Sequence, residues 1–164
     1  MSKLYLPIGL IGSGKSTWAK GFIIEHPDVK IVAGDDIRRM LSNEYVYDKK
    51  SELSIIQILI DSTITLLNAG YDVILDECYC SLNVNLRKAV ADSLRLTARV
   101  ELIAVVFPLR DMKDHIDDKI MKGLRGKTIN YWKRVFNEMK KIFQPFDIKS
   151  ESYFDKKIEV SANV

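Results

Sequence analysis

The stretch GLIGSGKST, residues 9–17, decides how this chain should fold. It follows an apolar run at residues 4–8, and the apolar residues at 18, 19, 22 and 23 after it fit one face of a helix. A strand, a glycine-rich loop and a helix in this order are what a phosphate-binding P-loop requires. Glycines let such a loop turn tightly and bring backbone N–H groups close to phosphate oxygens. The motif therefore predicts a site for a nucleoside triphosphate.

Two side chains of this loop have predicted roles of their own. Lys15 is expected to reach the β- and γ-phosphates, and the Ser16 hydroxyl is expected to bind Mg²⁺. The other loop positions expected to surround the triphosphate are Gly9, Gly12, Ser13, Gly14 and Thr17. A glycine turn without a ligand is the alternative, but the motif's four fixed positions match by chance in roughly one chain of this length per hundred or fewer.

Composition limits the class of protein. The chain has 164 residues, 47% of them hydrophobic, which suits a single domain over residues 1–164. Its net charge of +3 permits an anionic partner without requiring nucleic acid. No apolar run reaches the roughly 18 residues of a membrane span. The single residue between Cys78 and Cys80 makes a mutual disulfide awkward. We therefore expect a cytoplasmic protein without a membrane partner. The sequence leaves the oligomeric state open.

Strand and helix patterns alternate along the chain. Short apolar runs predict strands at residues 4–8, 29–32, 73–75, 100–107 and 157–160. Helices are predicted at residues 15–26, 37–41, 51–69, 83–96, 111–122 and 128 to about 143. Ser51 and Thr128 are the expected N-caps of two of them. The alternation predicts an α/β fold with a parallel sheet of four to five strands.

Carboxylates follow two of the predicted strands. Because parallel sheets bind ligands beyond the carboxyl ends of their strands, these groups should meet the P-loop near the γ-phosphate. Asp76 follows three apolar residues, as a metal-ordering carboxylate of the Walker B type does. A turn or helix cap is the alternative role for Asp76, and Glu77 is a second candidate for the metal.

Asp35 and Asp36 follow the second strand. Either could act as general base, taking the proton from an acceptor hydroxyl, while the other caps the short helix that follows. Arg38 lies one helical turn after Asp35. It is expected to bind an anionic part of the acceptor, and the alternative is a surface arginine paired with Asp35.

A basic segment precedes the last helix. Its cations are Lys119, Lys122, Arg125 and Lys127. Glycines at 123 and 126 make this segment, residues 112–128, a candidate lid that closes over ATP. A solvated basic loop is the alternative. Arg125, which lies beside a glycine, is the favoured side chain for the triphosphate.

Several other residues are given plainer roles. His115 is expected on the surface of a helix, and the two cysteines are expected to be inert. Trp132, Phe136 and Phe143 have helical spacing and are expected in the core. Tyr45 and Tyr47 lie in a polar loop, where they either stack on a nucleobase or pack on the core.

The motifs together resemble one family. The stretches IGLIGSGKSTWA at 8–19 and GDDIRRML at 34–41, with weaker ones at 70–77 and 123–128, resemble the 5′-polynucleotide kinases of bacteriophage type, a group of P-loop kinases. The similarity in order and spacing covers about residues 1–145. One departure is the run Asp76-Glu77-Cys78, where the family has an Asp-Thr-Asn type run.

The resemblance implies a P-loop kinase fold with helices on both faces of the sheet and a basic lid. It implies in-line transfer of the γ-phosphoryl group of ATP, or of another nucleoside triphosphate, to the 5′-hydroxyl of DNA or RNA in nucleic acid repair. Asp35 would be the base, Arg38 would contact the acceptor phosphate, and Arg125 would contact ATP. If the chain is phage-encoded, it would act in the host cytoplasm.

Other functions stay open from the sequence. The same core would serve a kinase whose acceptor is a small molecule, a nucleoside or a hydroxymethylated base in DNA. A nucleotide-binding regulatory module without catalysis is the alternative from another class. The sequence does not choose between DNA and RNA, or between single strands and duplex ends.

Overall fold

A computed structural model describes residues 1–42 and 47–161, and the side chains at positions 118, 124 and 125 also lie outside the described part. The strands are β1 (Ser2–Ile8), β2 (Val29–Ala33), β3 (Asp72–Asp76), β4 (Val100–Val106) and β5 (Lys156–Glu159). The helices are α1 (Lys15–Glu25), α2 (Gly34–Ser42), α3 (Glu52–Asn68), α4 (Val84–Arg95), α5 (Met112–Met121) and α6 (Ile129–Ile142). Short 3₁₀ turns span Tyr79–Ser81 and Gly123–Gly126.

The five strands form one parallel sheet in the order β2-β3-β1-β4-β5. Leu4 of the central strand aligns with Val73 of β3 and with Leu102 of β4. Because all five strands run in the same direction, the P-loop, the start of α2 and the end of β3 meet at one edge. The predicted α/β fold with a parallel sheet is confirmed.

Helices cover both faces of the sheet. Along β1, Leu4, Leu6 and Ile8 belong to one buried cluster with α3 and α4, whereas Tyr5 belongs to a second cluster with α1. Alternate residues of a strand point to opposite faces, so a continuous apolar strand buries both. This explains why the central strands lack a polar face.

A third cluster packs α5 and α6 beside the P-loop. It contains Leu10 and Ile11 of the loop with Ile116, Trp132 and Phe136. Trp132 and Phe136 are buried, so their predicted place in the core is confirmed. The cluster attaches the lid segment and α6 to the P-loop.

The helix ends confirm one predicted cap and correct two others. The Thr128 hydroxyl accepts a hydrogen bond from the Tyr131 N–H at 3.1 Å, as an N-cap does. Ser51 precedes α3, but its hydroxyl donates to the Asp48 carbonyl oxygen and caps nothing. Asp35 and Asp36 are not N-caps, because α2 starts at Gly34 and takes both into its first turn.

None of the helices in the described ranges is long and apolar enough to cross a membrane.

Candidate active site

The backbone of the P-loop is shaped by two glycines. Gly12 has φ 68° and Gly14 has φ 96°, a left-handed conformation that other residues adopt at a cost. Gly14 is at the N-cap position of α1, where no side chain accepts a hydrogen bond from the first N–H groups of the helix. The first N–H groups of α1 therefore open into the loop, where the partial positive charge of a helix N-terminus attracts anions.

Lys15 lies inside this loop. The side chain is buried, and its Nζ donates to the carbonyl oxygens of Gly9 at 2.9 Å and Leu10 at 2.8 Å. Nζ also lies 3.5 Å from the Sγ of Cys78. Burial raises the pKa of the Cys78 thiol although the Lys15 charge opposes this. Cys78 is thus a neutral neighbour of the predicted phosphate-binding lysine.

A cleft of about 1180 Å³ opens between the P-loop, α2, α3, the lid segment and α6; we call it the central cleft. Predicted site residues that line it are Gly12, Ser13, Gly14, Lys15, Ser16, Asp35, Arg38 and Asp76. Gly9 is buried at the start of the loop, and Thr17 lies beside a smaller pocket with Trp18 and Phe107. The side chain of Arg125 lies outside the described part of the structure.

Arg38 is buried among three carboxylates. The alternative was therefore wrong about a surface position and right about the pairing with Asp35. Its Nε and Nη2 donate to the two oxygens of Glu52 at 3.0 and 2.6 Å. Its Nη1 donates to Glu77 at 3.0 Å and to Asp35 at 3.3 Å. The structure thus places Arg38 beside the predicted base, but with two carboxylate partners that the sequence patterns did not reveal.

Glu77 is directed at Arg38. Its other carboxylate oxygen accepts the Tyr79 N–H at 3.1 Å. Burial raises the pKa of Glu77, and the charge of Arg38 opposes that rise. Burial by itself would lower the pKa of Arg38, but hydrogen bonds and charges from Glu52 and Glu77 raise it, so the guanidinium stays charged.

Gly34 shows how closely the two elements approach. A Cβ atom at this position would overlap the Glu77 Oε2. The glycine after β2 therefore makes room for a carboxylate from the end of β3. A glycine directly before an acidic pair was the one local signal of this contact.

His115 is fully buried, so its predicted surface position is wrong. Its Nδ1 lies 2.8 Å from the Ile11 carbonyl oxygen, and its ring lies 5.0 Å from the ring of Phe136. The reason is that α5 packs one side against the P-loop and α6, which a short polar helix does not reveal by its own pattern.

The lid segment brings cations to the central cleft. Lys119 is buried with its Nζ 4.6 Å from the centre of the Trp132 ring. Lys122 donates to the Thr17 hydroxyl at 3.3 Å, which joins the segment to α1. Lys127 also lines the cleft. Tyr45 lies outside the described residues, so its predicted role is not tested. Tyr47 is exposed at the rim of the cleft.

The donor set fits a nucleoside triphosphate with Mg²⁺. The Ser13 hydroxyl is buried in the loop and has no hydrogen-bond partner within the described residues. Ser16 and Asp76 offer hard oxygen ligands in the same cleft. No cluster of three or more metal-ligating side chains occurs in the described parts of the chain. Ser16 and Asp76 match what Mg²⁺ requires, since it binds through one or two protein oxygens, substrate phosphates and water.

Comparisons with known proteins place the fold. A family model described as an AAA domain matches residues 4–146. A fungal RNA kinase has a similar structure, with a TM-score of 0.71 and 17% identity over 98% of this chain and 74% of that chain. A gluconokinase from Sinorhizobium meliloti 1021 shares the fold at a TM-score of 0.57 and 13% identity, over 99% of this chain and 83% of its own.

A chain of the Pnkp1/Rnl/Hen1 RNA repair complex is 25% identical, with a TM-score of 0.65. The match covers 87% of this chain but 46% of that chain. The present chain therefore spans less than half of that larger protein.

Proposed function

This chain belongs to the AAA-domain family and has a kinase-like P-loop fold, and on that basis we propose that it is an ATP-dependent polynucleotide 5′-hydroxyl kinase. The observation that carries the proposal is the placement of Asp35 beside Arg38 in the cleft that the P-loop opens into. A triphosphate site, a carboxylate base and a cation beside it are the parts needed to phosphorylate a hydroxyl next to a phosphate.

ATP binds through the P-loop. The N–H groups at the start of α1 and the Lys15 ammonium bind its phosphates, after Lys15 exchanges the carbonyl oxygens of Gly9 and Leu10 for phosphate oxygens. The Ser16 hydroxyl and the Asp76 carboxylate would hold Mg²⁺, which would supply charge neutralisation at the phosphates. The lysines of the lid segment add positive charge from the other side. The resemblance to polynucleotide kinases assigns Arg125 to ATP as well.

Asp35 is the general base. It takes the proton of the acceptor hydroxyl as that oxygen attacks the γ-phosphorus in line. The new oxygen–phosphorus bond forms while the bond to the β,γ-bridging oxygen breaks, and its electron pair leaves with ADP. Asp35 then returns the proton to water. Direct transfer of this kind needs no phosphoenzyme.

The outer part of the cleft suits a polyanionic acceptor. Lys49, Lys122, Lys127 and Arg134 line it, and lysine and arginine side chains bind nucleic acid mainly through its phosphates. The similarity in fold to a fungal RNA kinase and to a chain of an RNA repair complex agrees with such an acceptor, as do the motifs shared with polynucleotide kinases of bacteriophage type.

The carboxylates around Arg38 favour a second candidate. They engage four of its five N–H groups, so an acceptor phosphate must use the fifth or displace a carboxylate. An acceptor without a phosphate would leave these hydrogen bonds of Arg38 in place. The second candidate is therefore a P-loop kinase for a small molecule, a nucleoside or a hydroxymethylated DNA base. A regulatory module without catalysis is disfavoured, because a pure nucleotide binder needs no base at Asp35.

Transfer of label from [γ-³²P]ATP tests the proposal. The acceptors are 5′-hydroxyl single strands and duplexes of DNA and RNA, beside nucleosides and sugars, with a 5′-phosphorylated oligonucleotide as the control. We expect label on 5′-hydroxyl ends and none on the blocked oligonucleotide. Label on a nucleoside or sugar alone would favour the second candidate, and no label on any oligonucleotide end would refute the proposal.

A further inference from the structure

We propose that Arg110 and His115 form a clamp that holds the P-loop in its nucleotide-binding conformation. The two side chains bind two successive carbonyl oxygens of the loop, those of Gly12 and Ile11. We assign them as positioning residues because the bonds that define the clamp are to the loop backbone. Arg110 also lines the smaller pocket with Ser13 and Thr17, and its buried Nε has no hydrogen-bond partner within the described residues. The proposal rests on the proposed nucleotide site but not on the identity of the acceptor.

The contacts of His115 determine its protonation state. Its Nδ1 faces the Ile11 carbonyl oxygen at 2.8 Å, so this nitrogen must carry the hydrogen and donate. Its Nε2 accepts the backbone N–H of Arg110 at 3.2 Å, so this nitrogen must be unprotonated. Both bonds are made only by the neutral Nδ1–H tautomer. His115 thus connects the loop to the corner between β4 and α5.

The electrostatic surroundings agree with a neutral imidazole. Burial lowers the pKa of His115, the Ile11 hydrogen bond opposes this, and the charges of Arg110 and Lys15 lower the pKa further. Asp114 opposes them with its negative charge. Protonation would also place an N–H at Nε2 against the N–H of Arg110, which removes one bond of the clamp.

Arg110 completes the clamp from the same corner. Its Nη2 donates to the Gly12 carbonyl oxygen at 2.9 Å. Backbone contact adds to this, because a Cβ atom at Gly12 would overlap the carbonyl oxygen of His115. Gly12 therefore allows the first turns of α5 to lie directly against the loop.

Holding these carbonyl groups orients the loop's N–H groups. In a planar trans peptide the C=O and the next N–H point in opposite directions. The bond from His115 to the Ile11 oxygen therefore directs the Gly12 N–H away from α5. The peptide between Gly12 and Ser13 is held by two hydrogen bonds. Its carbonyl oxygen accepts from Arg110, and its N–H donates to the Leu10 carbonyl oxygen at 3.3 Å. A pre-oriented loop binds anions without an ordering cost.

The clamp also joins the loop to the lid segment. His115 lies on α5, the helix that carries Lys119 to the central cleft. Lys122 follows directly after α5 and donates to Thr17. A change in the position of α5 therefore acts on the loop through the clamp. The expected readout is nucleotide affinity, with little effect on the acceptor.

Nucleotide binding to purified variants tests this, measured with ADP or a fluorescent ATP analogue and without any acceptor. We expect His115→Leu and Arg110→Met to raise the Kd each by about tenfold, the effect of losing about one hydrogen bond. His115→Asn should be milder, because its amide nitrogen replaces the Nδ1 donor. In a double variant the two effects should be less than multiplicative, since both act on one loop.

His26→Leu is the matched control. The Nδ1 of His26 also lies near a backbone carbonyl oxygen, that of Phe22 at 3.0 Å, but on the exposed end of α1. It should keep the wild-type Kd. If folded His115→Leu or Arg110→Met binds nucleotide as the wild type does, whatever its melting temperature, the clamp is refuted.

A measurement on the wild-type protein tests the clamp even if His115→Leu and Arg110→Met do not fold. The chain has two histidines, so their ring ¹⁵N signals can be assigned by His26→Leu. We expect the neutral Nδ1–H tautomer at His115 and a shift of its signals, but not those of His26, on adding nucleotide. Another tautomer, or no response, would overturn the proposal. Nucleotide binding without transfer to any acceptor would refute the proposed kinase function and leave the clamp intact.

Discussion

The buried cluster around Arg38 leads to a specific stability prediction for the variant Arg38→Met. The guanidinium is 5% exposed, and its partners Glu77 and Glu52 are 8% and 16% exposed, while Asp35 is 33% exposed. The substitution leaves the buried Glu77 and the partly buried Glu52 without their cation. Breaking a buried ion pair by removing one partner costs about 3–5 kcal/mol. We expect the free energy of unfolding to fall by that amount near neutral pH.

The loss should shrink in acid because Glu77 can take up a proton. Burial raises the pKa of Glu77 above its ordinary value of 4.5, and Arg38 holds that rise back. Without Arg38 the pKa of Glu77 rises further. A carboxyl group with a higher pKa in the folded state costs stability as the pH rises above the unfolded value. The deficit of Arg38→Met relative to wild type should therefore grow as the pH rises through the folded-state pKa of Glu77, which lies above 4.5 in the wild type and higher still in the variant.

Urea denaturation of Arg38→Met and of the control Arg39→Met measures the effect. Arg39 pairs with Asp36 at the same spacing on the same helix, but the two side chains are 43% and 68% exposed. An exposed pair of this kind contributes about 0.2–1 kcal/mol. Equal losses in the two variants, or a deficit of Arg38→Met that is as large in acid as at neutral pH, would show that the buried-cluster reasoning is wrong.

Three further predictions concern the site and its supporting helices. Asp35→Asn should lower the transfer rate by about 10²–10⁴-fold with an unchanged ATP Kd, while Asp36→Asn keeps its rate; equal rates in radiolabel assays would contradict the base assignment. Gly34→Ala should cost about 1–3 kcal/mol in urea denaturation, because its methyl group overlaps Glu77, and the cost should be smaller in the Glu77→Ala background. Thr128→Ala should lower stability by about 1 kcal/mol through loss of the α6 cap, and an unchanged urea midpoint would contradict that role.

Local patterns predicted most helices and strands of this fold. The helix predicted at 128 to about 143 is α6, Ile129–Ile142, because its cap and its apolar face are both local features. The helix predicted at 37–41 was too short, since α2 is Gly34–Ser42. A glycine after a strand usually indicates a turn. At position 34 it lies within a helix, where the absence of a side chain leaves room for the carboxylate of Glu77.

The candidate site was predicted where its residues follow a strand directly. The P-loop, Asp35 and Asp76 could be placed together because parallel strands bring their carboxyl ends to one edge. The residues that these side chains bind could not be predicted from the sequence. Arg38 binds Glu52 and Glu77, which lie 14 and 39 positions away, and His115 binds Ile11 across 104 positions.

The sequence by itself determined the P-loop, the α/β class and the carboxylates beside the loop. These depend on contiguous motifs and on periodicity, which act through the backbone over a few residues. The tertiary structure alone decided that Arg38 is buried among three carboxylates and that His115 supports the loop instead of facing solvent. Such contacts depend on how α2, α3 and α5 pack around one edge of the sheet, and packing joins residues whose separation in the chain leaves no local pattern.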